Sequence, residues 1–186
     1  MTVEIYSQRK PLWAGDHLGL PQASRLSTIG DYGCAITAIA QKRTLLGFPT
    51  TPPDVQAALL RADGFRHDQT LNLVNWPRVP RAFPQFQFNG RHDYPNTLTP
   101  ASVMNLITDR LTLGQPTIIY VDASPYVKGL QQHFVLVVGQ SETGDLYIYN
   151  PWTGRQQDLR PYGRTDAAAV CGVILLDTVF DASLAR

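Results

Sequence analysis

Cys34 follows Asp31-Tyr32-Gly33 and heads a run, Cys34 to Leu46, of helical character. A thiol reacts when it is held as thiolate, and a helix N-terminus favours that form through unpaired N–H groups and the positive end of the dipole. The spacing therefore makes Cys34 a candidate nucleophile for acyl transfer, with its own N–H aimed at a developing oxyanion. Taken alone, a cysteine in an apolar helix is more often an inert core residue. Cys171, between Val170 and Gly172 in an aliphatic run, is read that way.

A thiol nucleophile needs a base. His133 opens the strongly apolar run His133–Gln140 and is the candidate, with Val135 and Val137 on its face of a strand. His17, His67 and His92 sit in polar, loop-like contexts and read as surface residues. Ser141–Gly144 is a turn, and Asp145–Asn150 returns as the antiparallel partner of the His133 strand. The end of a return strand lies beside the start of the first, so Asn150 should meet His133. An amide oxygen there would accept from one ring nitrogen and leave the other for the thiol. Trp152, two residues on, would shield that bond from water.

These groups have to be carried by elements the sequence also marks. The helix from Cys34 has Asp31 as its expected N-cap and Gly47 as its stop. Ala35, Ile36, Ala38, Ile39 and Ala40 cover most of its circumference, which predicts a buried helix. Thr51-Pro52-Pro53-Asp54 starts a second helix that runs to about Ala62, with Gly64 behind it. Thr99 to Leu113 is a third, closed by Gly114. Residues 65–96 show little periodicity and read as long loops with one short strand at Gln85–Phe88. Thr117–Asp122 and Val170–Asp177 are further strands, the last well buried. Helices followed by a mostly antiparallel sheet make an α+β domain, and the 186 residues fit one such domain.

Composition narrows the functional classes. A net charge of +1 supplies no field to recruit nucleic acid or a membrane surface. The opening MTVEIYSQRKPLW lacks the layout of a secretory signal, and no run approaches a bilayer span. The expected site is therefore cytoplasmic. Two cysteines do not make a disulfide framework. No Cys-x-x-Cys, His-x-x-x-His, phosphate loop or Gly-x-Ser-x-Gly elbow is present, so neither metal nor cofactor is expected.

The order of helix-start Cys, strand-start His and strand-end Asn-Pro-Trp resembles the papain-like cysteine peptidases. It is most similar to the bacterial and phage group that includes the bacteriocin-leader-processing (double-glycine) peptidases. The matching segments are Thr28-Ile29-Gly30-Asp31-Tyr32-Gly33-Cys34, His133-Phe134-Val135-Leu136-Val137 and Asn150-Pro151-Trp152-Thr153-Gly154. That group often has Asp where this chain has Asn150, whereas papain-type enzymes use Asn. The resemblance implies a papain-like α+β fold with a buried nucleophile helix packed on the sheet, and a peptide or protein substrate. It implies release or virion association if the chain is of phage origin. Through Gln8-Arg9-Lys10-Pro11-Leu12-Trp13 it also implies an oxyanion role for Gln8, with Gln22 as the alternative. Acyl or peptidyl transfer on the same Cys–His–Asn site, as in transglutaminases and phytochelatin synthases, is a second reading. A non-catalytic binding domain of the same shape is a third. Residues 65–96 match nothing in the group, and oligomeric state is left open.

Overall fold

The computed structural model describes residues 4–20, 27–67, 72–94 and 99–179. Gln22 lies outside the described residues. The chain runs through α1 (Ile29–Tyr32), α2 (Cys34–Leu45) and α3 (Pro52–Arg61) into a small hairpin, β1 (Phe65–His67) and β2 (Asn72–Val74). Then come α4 (Val79–Ala82), β3 (Phe86–Asp93) and α5 (Pro100–Thr112). Strands β4 (Thr117–Asp122), β5 (Gln132–Gln140), β6 (Leu146–Asn150) and β7 (Arg155–Asp158) follow, and α6 (Asp166–Ala169) leads into β8 (Val170–Thr178). The main sheet has the order β3-β8-β4-β5-β6-β7, and each of these pairings is antiparallel. The architecture is α+β.

Period-two alternation sorts the strand side chains onto two faces. Ile118, Tyr120, Phe134, Leu136 and Ile174 join Ile36 and Ile39 of α2 in one core. Ile119, Val121, Val135, Val137 and Val173 join Val103 and Ile107 of α5 in the other. The sheet is thus covered on both faces, and α2 is the helix pressed against its centre. The cap chemistry read from the sequence holds where it is local. Thr51 accepts from Asp54 N and Asp54 returns the bond, and Thr99 with Ser102 does the same for α5. Gly47, with φ +87°, follows the last turn of α2.

Two expectations need correction. Asp31 is not the cap of the Cys34 helix. Thr28 caps a separate turn, α1, by accepting from Asp31 N, and α2 starts afresh at Gly33 with no side-chain cap. The described residues of 65–96 also hold more regular structure than their pattern suggested. Beyond the β1–β2 hairpin and α4, the expected short strand extends to Asp93 as a full edge strand paired with β8. Burial alternates along most of it, through a register shift at Gly90 (φ +139°). After Phe88 the residues are Asn-Gly-Arg-His-Asp, with no apolar side chain to show the period in the sequence. His92 therefore lies in a strand, and His17 forms a β-bridge with Thr28, with Nε2 2.9 Å from Leu20 O.

The α1–α2 junction explains the two glycines before the cysteine. A Cβ on Gly30 would lie 2.7 Å from Ala14 O, and one on Gly33 would lie 2.4 Å from Ile29 O. Both obstacles are backbone, so nothing flexible can move aside. Gly33→Ala is therefore expected to destabilise the protein by ~2 kcal/mol, as other overpacked sites do. Urea denaturation measures this, and an unchanged midpoint would mean the junction relaxes freely.

Candidate active site

The sequence turn at Ser141–Gly144 closes the β5–β6 hairpin, with Leu136 opposite Tyr149 and Val137 opposite Ile148. That register brings the two strand ends together, and His133 Nε2 lies 2.9 Å from Asn150 Oδ1. Both side chains are buried, His133 at 6% exposure and Asn150 at 1%. Val135 and Val137, on the His133 face, are sealed in the α5-side core. His133 itself emerges past the end of that core and lines a cleft of about 570 Å³ together with Cys34, Gln8, Trp152 and Tyr162.

The Asn150 amide is fixed from four directions. Its Oδ1 takes the His133 contact and accepts from Trp152 N at 2.9 Å. Its Nδ2 donates to Gln157 Oε1 at 3.1 Å and to Tyr162 Oη at 2.7 Å. A backbone N–H is only a donor, so the Trp152 contact alone decides which end of the amide is oxygen. Facing an acceptor, the neutral His133 ring must carry its proton on Nε2. Nδ1 is then the free lone pair, the nitrogen able to accept a proton. Trp152 stands edge-on to the His133 ring at 6.4 Å, and the Arg9 guanidinium stacks over the Trp152 indole, 4.2 Å from its centroid.

Gln8 reaches the cleft through the same turn. Its N–H donates to Pro151 O at 2.8 Å, so the segment before the cysteine is tied to the turn after Asn150. The side chain is buried, and Nε2 donates to Gly30 O at 2.9 Å. The second amide N–H has no acceptor among the described residues. Cys34 opens α2 and is partly covered, keeping the access a nucleophile needs.

The electrostatics depart from the expected preformed thiolate. Burial pushes the Cys34 thiol above its ordinary value, outweighing backbone hydrogen bonds at Phe134, Ala35 and Cys34 that favour the anion. Burial likewise pushes the His133 imidazole below its ordinary value, against the Asn150 contact that favours the cation. Desolvation opposes charge on both groups, so burial favours a neutral thiol and a neutral ring over a standing ion pair. Cys171 is also pushed up by burial, packs against the α2-side core and is free.

Tyr162 and Gln157 were not singled out by their sequence context. Gln157 is half-buried on the short strand β7, which shows no alternation, and Tyr162 ends a single turn, Arg160–Tyr162. The only cue is a Pro-Tyr-Gly turn downstream of the Asn-Pro-Trp motif. No group of three or more His, Cys, Asp or Glu among the described residues could hold a metal ion. No helix among them is long and apolar enough to cross a membrane. Comparison with known proteins finds no matching family model, no matching curated protein and no matching solved structure.

Proposed function

We propose that this chain is a papain-like cysteine hydrolase that cleaves a peptide or other amide bond. The observation that carries the reading is the 2.9 Å His133 Nε2–Asn150 Oδ1 bond, with the amide oriented so that Nδ1 stays free, in a cleft shared with a helix-head cysteine. A nucleophile, a base and a group orienting that base are the three parts acyl transfer requires.

In this mechanism the Cys34 S–H proton passes to His133 Nδ1 as sulfur bonds to the amide carbon. Proton transfer accompanies attack, because burial disfavours a standing ion pair. The carbonyl electrons move to oxygen, which the Cys34 N–H and the spare Gln8 N–H stabilise. The tetrahedral centre collapses, the C–N bond breaks, and the amine leaves with the proton from His133. Water then attacks the thioester, gives a proton to His133, and sulfur leaves to recover it. The products are an amine and a carboxylic acid.

A panel of short peptides ending in an epoxide or chloromethyl ketone tests the reading. Intact-mass and peptide mapping should show one adduct, at Cys34, formed faster in the native protein than in the unfolded chain. Cys171 is the internal control, since it shares the raised thiol but lacks the histidine. Equal modification of the two cysteines, or none in the native protein, would overturn it.

A further inference from the structure

The Asn150 amide is gripped at both ends, and the two ends are held by different parts of the fold. Oδ1 meets His133 Nε2 and Trp152 N, which belong to the hairpin and the turn after it. Nδ2 carries two protons, and each has an acceptor: Gln157 Oε1 at 3.1 Å and Tyr162 Oη at 2.7 Å. The terminal torsion of an Asn side chain is broad, so these bonds rather than a rotamer well set the plane of the amide. Asn150 is buried, so protein groups have to satisfy Nδ2. Of its two acceptors, Gln157 rides on the edge strand β7 and is shared with Thr153 Oγ1 at 3.1 Å. Tyr162 is the better anchored. Its bond is shorter, its ring packs against the α5-side core, and its backbone N–H donates at 2.9 Å to Leu159 O, on a residue fully buried in that core.

From this arrangement we infer that Tyr162 is a positioning residue for the base: its hydroxyl locks the Asn150 amide and, through the amide, the tautomer of His133. The inference rests on the proposed role of His133 and adds a residue that neither the motif nor the Cys–His–Asn set contains. A neutral imidazole carries its proton on one nitrogen or the other. Only the form with the proton on Nε2 leaves Nδ1 able to take the thiol proton, and the Asn150 oxygen selects that form by accepting from Nε2. An amide free to swing would present its oxygen to Nε2 for part of the time only. The other tautomer would then gain population from the active one. The Tyr162 ring also stands 6.1 Å from that of His133, tilted by 40°, so ring and hydroxyl bear on the same imidazole by separate routes. Tyr162→Phe removes the hydroxyl's route and keeps the ring's.

The test takes one spectroscopic and one kinetic readout on Tyr162→Phe, with circular dichroism as the check on the fold. Nitrogen-15 NMR of the histidine rings at about pH 8, where burial keeps the His133 ring uncharged, shows which of its nitrogens carries the proton. His133→Gln assigns the signals. The wild type should show the Nε2–H form alone, and Tyr162→Phe should show both forms. A loss of packing alone would leave the tautomer as it was. Modification of Cys34 by a peptidyl chloromethyl ketone should slow roughly tenfold, inside the ~10²-fold that misplacing a reacting group costs. In an Asn150→Ala background the same substitution should slow it no further, because the hydroxyl acts through the amide. An unchanged tautomer, an unslowed modification, or an equal slowing with and without Asn150 would overturn the inference. The NMR readout is repeated in Cys34→Ala, where no reaction occurs. It therefore stands apart from the hydrolase reading, which fails on the absence of selective Cys34 modification in the wild type instead.

Discussion

Cys34→Ala is expected to reduce hydrolysis by more than about 10⁴-fold while leaving the fold intact, and His133→Ala should do nearly the same. The serine-protease precedent for such losses is a unit of groups that act together, so the double variant should be no worse than either single one. Asn150→Ala should cost less, about 10²-fold. It removes the acceptor that fixes His133 Nε2–H, yet leaves sulfur and imidazole in place. The pH profile follows from the same geometry. His133 must be neutral to take the thiol proton, and burial holds its ionisation below the ordinary value of 6.5. Activity should therefore persist through pH 6.5 and decline only on the acid side of it. The measurement is kcat/KM against pH for whichever peptide the electrophile panel selects. Residual turnover in Cys34→Ala, or additive losses in the double variant, would remove Cys34 from the mechanism.

The second large effect concerns stability rather than chemistry. Lys42 lies on the buried side of α2, 1% exposed, with Nζ bonded to Pro116 O and placed 5.7 Å from the Phe86 ring centroid. Burial, helped by the Arg110 charge, lowers its pKa from 10.5 to about 7. Arg110 itself is engaged by Asp177, which offers Lys42 little compensation. In the unfolded chain Lys42 keeps its proton to about pH 10.5, whereas the folded protein releases it near 7. Between those values the unfolded state binds more protons, so stability should rise with pH. Below about pH 7 both states are protonated, the slope vanishes and the penalty is fully present. Its ceiling is roughly 5 kcal/mol at the usual ~1.4 kcal/mol per unit. The two raised thiols act in the opposite sense above their ordinary value of 9.0, because the unfolded chain loses those protons first. The informative window is thus pH 6–9. Lys42→Met should stabilise the protein at pH 6 and flatten the rise. The gain should fall short of the ceiling by about 1–3 kcal/mol, because Pro116 O loses its donor in a buried place. Urea midpoints at pH 6, 7.5 and 9 measure both effects. Parallel profiles for the two proteins would show that Lys42 keeps its proton in the fold.

Much of the site was legible because it depends on neighbours in the chain. Thr51 with Asp54, and Thr99, mark helix starts through bonds that span three residues. The Ser141–Gly144 turn fixes a hairpin, and a hairpin register carries His133 to Asn150 without knowledge of any other element. The two glycines before Cys34 were visible only as a motif, and their reason lies in contacts with Ala14 and Ile29 that close once α1 is folded. The long strand β3 was obscured because residues 89–93 carry no apolar side chain to show its period, and only its pairing with β8 reveals it.

The amino-acid sequence by itself determined the order Cys34, His133, Asn150, the helix that presents the first and the hairpin that joins the other two. These follow from propensity, capping and alternation, which act over a few residues. Tertiary structure decided the rest. It carried Gln8 to the cleft through a bond to Pro151 O, set Tyr162 and Gln157 on the far side of the Asn150 amide, and left Lys42 buried under the sheet. It also reversed the expected direction of the thiol. A helix N-terminus is a local property that favours the anion. Desolvation depends on everything packed around the sulfur, and here it outweighs the helix.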